Sequence, residues 1–459
     1  MGALLSSSRS KGVDYCAPAS EKRAPAVADC LFCRIVDGRE PGGAPLWFRD
    51  DRVAAFVPRH PAAALHFLVV PLAHRKNLAA LETVPVLARS SVLGSGGGSG
   101  GGAGAAAAAP LWPSWLARIA AFMRDCEGAY SLVALTKDGL YGIRDPYGLR
   151  PLCVGRAKGI DGSWSYHLSS ESCAFGTVGG DYVREVRPGE VVRLDRNGVR
   201  SWMPLADPAL VSGGSAAAAT AAAAVVSLPR SPAFCVFEYV YFARPDTIFE
   251  GQMVHAVRTR LGAQLAREAP ALGADLVSGV PDSSIAAAIG FATAVGLPFS
   301  EVFCKNRYIG RTFIKPDDAL RKNAIQLKYN PLSHVLQGRR IVLVDDSLVR
   351  GNTLRQLVPL MRKAGAAEVH VRISSPPIRH PCFYGVDIGT YDELITTHKS
   401  TVEAICAYIG ADSLEYLSHD GMLAAVREGV PKVGDDGSVR ATGHCSACMT
   451  GEYPVLFDA

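Results

Sequence analysis

The chain has 459 residues, 48% of them hydrophobic and 8% aromatic, with 48 Lys and Arg against 43 Asp and Glu for a formal net charge of +5. That length allows two to four domains and a sizeable core, whereas the charge is too small for the size to imply a nucleic-acid or membrane-surface partner. The sequence has neither a membrane span of bulky apolar residues nor a charged-then-apolar leader, which predicts an intracellular protein whose twelve cysteines serve as thiols or metal ligands.

Residues 1–27, opening MGALLSSSRS, read as a disordered tail, although Gly2 and Ser6 fit a myristoylation pattern and the Ser and basic content fits a weak organelle transit peptide. A compact segment, 28–85, follows with a CxxC start and two strand-like runs, VAAFVP and ALHFLVVPL. Residues 86–112 contain SSVLGSGGGSGGGAGAAAAAPLW, a linker too poor in large side chains to offset its own chain entropy. In the next unit, 113–210, WLARIAAFM has helical spacing, and GAYSLVALT with GLYGIRDP reads as a hairpin that an antiparallel pattern continues to about residue 204. An Ala-rich insert, 211–228, separates this β-rich unit from a third, 229–420, where an amphipathic helix over 252–268 precedes strands alternating with helices. Such alternation predicts a parallel α/β sheet. The remainder, 421–459, is a Gly- and Asp-rich tail ending in a second CxxC.

The densest chemistry lies in IVLVDDSLVRGNTLRQLVPLMRKAG. An apolar strand, Ile341 to Val344, delivers two carboxylates and a short polar loop to its C-terminal end just before a helix, where open α/β sheets bind ligands. Backbone N–H groups from Ser347 through Leu348, Val349, Arg350, Gly351, Asn352 and Thr353 form a cradle suited to a phosphate monoester. Ionised Asp345 and Asp346 only accept hydrogen bonds, so they suit ribose hydroxyls or Mg²⁺; an Asp-rich helix cap is the plain alternative. Residues 305–328 carry seven basic side chains against Asp317 and Asp318, enough charge to fold over a diphosphate. Ser283 and Ser284 stand at the start of an Ala-rich helix, ready for an anion or simply for capping.

These stretches carry a resemblance. VDDSLVRGNT resembles the phosphoribosyl-pyrophosphate loop of type I phosphoribosyltransferases, and FCVFEYVYFARPDTIFEG, KNRYIGRTFIKP and SSPPIRHPCFYGVD resemble the amidophosphoribosyltransferase family in its iron–sulfur branch, over residues 124–455. The family implies the first committed step of purine synthesis, in which ammonia nitrogen attacks C1 of phosphoribosyl pyrophosphate, giving 5-phosphoribosylamine and pyrophosphate. By motif, Ser283, Asp345 and Asp346 are then the Mg²⁺ or ribose-diphosphate contacts, the 347–353 loop holds the 5-phosphate, and Lys305, Tyr308 and Arg311 sit in a catalytic closing loop. The resemblance also places Cys235, Cys382, Cys445 and Cys448 as ligands of a [4Fe-4S] cluster. A four-thiolate zinc site is the chemical rival. Cys304 and Cys406 read as core. Purine nucleotide feedback inhibitors, a homo-oligomer, and a plastid or cytoplasmic location are further implications.

Residues 124–204, with EGAYSLVAL, IRDPYGLRPL, LSSESCAF and VRPGEVVRL, resemble the C-terminal half of the family's N-terminal-nucleophile glutaminase domain, an α+β fold. Upstream of residue 124 there is no Cys-Gly start and no Asn-Gly oxyanion element; Asn197-Gly198 falls in a later turn. Residues 28–81 instead resemble the beginning of a histidine-triad nucleotide hydrolase, with Cys30, Cys33 and His74 at zinc-ligand spacing and no His-x-His-x-His strand. The resulting expectation is a type I phosphoribosyltransferase domain with a partial glutaminase domain and a partial histidine-triad segment. A transferase fed by ammonia, a nucleotide-binding regulatory subunit, and a fusion of two gene segments all fit this arrangement.

Overall fold

The computed structural model describes residues 115–455, apart from 127, 137–138, 160, 196, 207–230, 307–327 and 433–442, together with the backbone of three short strands in the N-terminal region. Those three, Leu46–Arg49, Val53–Phe56 and Leu68–Pro71, form an antiparallel sheet in chain order, and the second and third fall within the two runs read as strands. Cys30, Cys33 and His74 lie outside the described residues, as do Tyr308 and Arg311.

Helix α1, Trp115–Asp125, opens the β-rich unit and packs Leu116, Ile119 and Met123 against Tyr130, Tyr141, Ile143 and Val191. Strands β1, Ser131–Thr136, and β2, Gly139–Arg144, are the hairpin expected from the alternation, with Thr136 facing Gly139 at the turn. Val191–Asp195 adds to β2, and Gly198–Trp202 pairs with it across the Asn197-Gly198 turn, completing a four-stranded antiparallel sheet. A second sheet of Cys153–Lys158, Trp164–Ser169 and Asp181–Glu185 completes the unit. Alternation gave the strands; their division between two sheets follows from partners far apart in the chain.

The third unit is built on four parallel strands: β3, Leu276–Gly279; β4, Arg340–Asp345; β5, Glu368–Ile373; and β6, Ser413–Tyr416, in that spatial order. Ile341, Val342, Leu343 and Val344 are fully buried because helices cover both faces, which explains the unbroken apolar run. Val277 of β3 also bridges Phe299 on the side away from β4, so the chain turns to opposite sides of β3 and opens a crevice at its C-terminal end. Helices α2, Val254–Glu268, and α3, Ile285–Val295, share one face in close contact. A Cβ on Gly290 would lie 1.9 Å from the carbonyl oxygen of Thr259, so only glycine permits that approach. The opposite face carries α4, Leu354–Lys363, and α5, Val402–Ile409.

Two expectations need correction. Helix α6, His419–Arg427, carries the folded unit past the boundary placed at residue 420: it packs on α2, Gln252 and Arg260 donate to its Val426 and Ala425 carbonyls, and the Ser418 amide ahead of it donates to Glu268. Cys304 is exposed rather than core, because its two-stranded ribbon, Phe303–Lys305 with Tyr329–Pro331, buries Phe303 and turns the next side chain outward. Cys406 is half-buried beside Ile405 and Ile409 and donates to the Ala411 carbonyl.

Candidate functional site

Strand β4 ends at Asp345, which with the following Asp346 is almost fully buried at the crevice beside β3. The backbone amide of Asp346 donates to Asp345 Oδ1 at 3.0 Å, which fixes the two carboxylates relative to one another. The hydroxyls of Ser283 and Ser284 reach them from the end of β3. Ser284 Oγ donates to Asp345 Oδ1 at 2.9 Å and stands 3.3 Å from Asp346 Oδ2, which Ser283 also meets. Ser347 Oγ donates to Asp346 Oδ1 at 2.8 Å. Neither Ser283 nor Ser284 acts as an ordinary cap: Ser284 is the N-cap residue of α3 but makes no capping bond. Both hydroxyls are committed to the carboxylates instead.

Burial raises the affinity of both carboxyls for protons, and the neighbouring Asp346 charge pushes Asp345 further the same way. For Asp346 the serine hydrogen bonds and the Arg258 guanidinium oppose the shift. Arg258 is 2% exposed, comes from α2, and donates to the carbonyls of Tyr239 at 2.7 Å and Ala243 at 2.9 Å. An acidic pair held in this way favours any cation that relieves its mutual repulsion, and a hard divalent ion takes oxygen donors of this kind.

The loop after Asp346 behaves as a cradle. Among the described residues, the backbone amides of Ser347 to Thr353 donate to no other group, while α4 begins at Leu354 and directs its positive end toward them. Gly351 takes φ +72°, and a Cβ there would stand 2.7 Å from Ile395 Cδ1. Leu348 is buried beneath the loop, and Arg350 turns outward to Glu393 at 2.8 Å. Lys305 reaches the same crevice and pairs with Asp282, the residue before Ser283. Tyr329 OH donates to the Pro281 carbonyl at 3.1 Å and ties the ribbon to this turn.

Ser284, Asp282 and Arg258 extend the site beyond the carboxylates, loop and Ser283 that the motif exposes. The Ser-Ser doublet was a visible signal for Ser284. Arg258 had none, because a basic residue in an amphipathic helix ordinarily faces water.

The four cysteines converge elsewhere, at the junction of the two units. Cys235 and Cys445 are opposite residues of a short parallel pair, Phe234–Cys235 with His444–Cys445. The Cys448 carbonyl accepts from the Arg379 and His380 amides, which brings the Cys382 segment alongside. All four thiols are free, with Cys235, Cys445 and Cys448 buried and Cys382 half-buried. Burial pushes the Cys445 thiol up to about 11, and those of Cys235 and Cys448 upward as well. As a donor set, four buried thiols from three segments suit a soft-metal centre. Their sulfurs do not close around a point: among the described residues, no three His, Cys, Asp or Glu side chains form a ready metal cage, either here or at the carboxylates.

Three comparisons bear on this geometry. Residues 248–380 match the phosphoribosyl transferase domain family. The amidophosphoribosyltransferase of Rattus norvegicus is 45% identical over 372 residues, covering 75% of this chain and 67% of the rat protein. The chain belongs to the amidophosphoribosyltransferase family. It is thus a phosphoribosyltransferase enzyme of the first step of purine biosynthesis. The Drosophila melanogaster amidophosphoribosyltransferase is 47% identical over 351 residues, 74% of this chain and 60% of that protein. Among solved structures, the glutamine phosphoribosylpyrophosphate amidotransferase of B. subtilis, complexed with ADP and GMP, is similar at a TM-score of 0.61 and 42% identity, covering 75% of this chain and 68% of that one. No helix among the described residues is long and apolar enough to cross a membrane.

Proposed function

We propose that this amidophosphoribosyltransferase transfers ammonia, free or derived from glutamine, to phosphoribosyl pyrophosphate, releasing pyrophosphate. The observation that supports the transferase reading best is the buried Asp345–Asp346 pair beside seven amides that have no other partner among the described residues, which gives ribose or metal a place next to a phosphate cradle. In this reading the 347–353 loop holds the 5-phosphate while Asp345, Asp346 and Ser283 hold the ribose hydroxyls or Mg²⁺. When bound, Mg²⁺ would neutralise charge on the pyrophosphate as it leaves. Lys305 brings a further cation to the leaving diphosphate, and Tyr308 and Arg311 belong to the same segment. Closure of that segment would exclude water, so that ammonia rather than water meets C1.

Residues 1–123 of this sequence contain no Cys-Gly and no Asn-Gly pair. The resemblance of residues 28–81 to a histidine-triad beginning stops before any His-x-His-x-His strand, and a zinc role for Cys30, Cys33 and His74 stands only on their spacing. The [4Fe-4S] assignment for Cys235, Cys382, Cys445 and Cys448 rests on motif position and donor chemistry, with zinc as its rival. Purine monophosphates are the expected feedback ligands, competing for the phosphate cradle in a homo-oligomer.

Pyrophosphate release measured with ammonium salt and with glutamine as alternative donors tests the proposal. Turnover with ammonium salt is the expected result, and no turnover with either donor would overturn the proposal.

A further inference from the structure

One carboxylate of the crevice has no task in holding the fold. Asp282 lies in the turn 280–284 at the end of β3, and the residues around it are all fixed. The Val280 amide donates to the Val344 carbonyl at 2.9 Å, the Pro281 carbonyl accepts from Tyr329 OH, and the hydroxyls of Ser283 and Ser284 go to Asp346 and Asp345. The Asp282 side chain is 74% exposed, and it does not cap α3, whose N-cap residue is Ser284. Among the described residues its one hydrogen-bond partner is the ammonium of Lys305.

Lys305 rises from an equally fixed base. In its ribbon Phe303 is buried, the Val302 amide donates to Ser278 Oγ at 3.2 Å, and Lys305 stands opposite Tyr329. Its four-carbon stem is the part that can swing. A second ammonium is close at hand. The Asn306 amide donates to the Lys328 carbonyl at 2.8 Å, and burial, then the Lys305 charge, weaken the hold of Lys328 on its proton. For an incoming diphosphate these charges work in opposite directions: the lysines attract it, whereas the Asp282 carboxylate both occupies Lys305 and repels the new anion.

We propose that Asp282 is an internal competitor of the diphosphate: it holds Lys305 while the crevice is empty and gives it up when the diphosphate binds. The proposal rests on the reading above that Lys305 meets the diphosphate. Asp282 is then a positioning residue acting through Lys305, and no bond of the reaction forms on it. Displacement costs the ion pair and leaves the carboxylate facing an anion. That cost loosens phosphoribosyl pyrophosphate and the released pyrophosphate alike, which hastens clearing of the crevice.

The test is calorimetric binding of inorganic pyrophosphate, without and with Mg²⁺, and of phosphoribosyl pyrophosphate to the full-length chain, beside steady-state turnover with ammonium salt. Asp282→Asn keeps the shape of the side chain and removes its charge. Both ligands should bind this variant about three- to tenfold more tightly than wild type, the scale of one exposed pair and one like-charge contact. The half-saturating concentration of phosphoribosyl pyrophosphate and the inhibition constant of pyrophosphate should fall together. The gain should shrink as salt rises, and Asp282→Glu should restore wild-type affinity. A merely structural role predicts the reverse, weaker binding and a lower melting temperature, with no dependence on salt. Lys305→Gln should weaken both ligands. If Lys305→Gln leaves their affinity unchanged, the reading that Lys305 meets the diphosphate is overturned and the Asp282 assignment with it. If Lys305→Gln weakens binding while a folded Asp282→Asn chain binds no more tightly than wild type, the Asp282 assignment alone is overturned.

Discussion

The carboxylate crevice and the cysteine junction are both buried and both polar, yet they are assembled in opposite ways. The crevice is almost continuous in sequence: one strand, one loop and one helix give Asp345, Asp346 and the seven cradle amides, and a single neighbouring strand end adds Ser283 and Ser284. The junction gathers Cys235, Cys382, Cys445 and Cys448 from three segments more than 60 residues apart. A site carried by one strand–loop–helix survives as long as its sheet does. A site carried by three segments exists only while those segments stay packed together, so it reports on the assembly of the chain rather than on one element.

The largest break in this comparison should come from Asp346→Asn. It removes one of the paired charges, and pyrophosphate release should fall by about a hundredfold or more, as when a principal electrostatic group is removed from an active site. The fold should gain by the same change. Burial raises both carboxyls above their ordinary range, so the folded chain binds protons more tightly than the unfolded one. Metal-free stability therefore falls as pH rises from the ordinary Asp range through the raised folded values. At neutral pH the metal-free Asp346→Asn variant should melt above wild type, with the difference closing in acid. A lower melting temperature at neutral pH would show that the pair is not under that stress.

Cys445→Ser tests the other side. It removes one of the four thiols proposed to hold a metal centre; if they do, metal content should drop by at least half while the parallel sheet keeps its structure, and limited proteolysis should show the segment around residues 443–455 becoming cleavable. Gly351→Ala returns to the crevice with a smaller effect. Its backbone lies in the left-handed region and its Cβ would crowd Ile395, so the half-saturating concentration of phosphoribosyl pyrophosphate should rise by roughly tenfold while the melting temperature moves little, a strain of about 1–2 kcal/mol. Glu393→Gln should do least. The Arg350–Glu393 pair is more than a third exposed at both ends, and its loss should cost less than about 0.5 kcal/mol, even though it flanks the cradle.

What could be read without tertiary structure follows the same division. The strand over 341–344, the loop, the helix after it and the hairpin of β1 and β2 were legible because their signals are periodic and local. Ser284 was half visible, read as a cap when its hydroxyl is bound to Asp345. Cys304 was misread because hydrophobic composition says nothing about which face of a two-residue-period ribbon meets water. The end of the folded unit was placed too early because the apolar face of α6 matters only once α2 lies beside it.

By itself, the sequence determined the phosphate cradle and the paired carboxylates, since a parallel strand end, a polar loop and a helix start must occur together in the chain to bind an anion. Only the tertiary structure decided where Arg258 and Arg150 go. Both are basic residues that local patterning would send to solvent, and both are buried because other segments bring carbonyls to Arg258 and a carboxylate to Arg150. The physical reason is that a buried charge is tolerable only with its partners in place, and those partners lie far off in sequence.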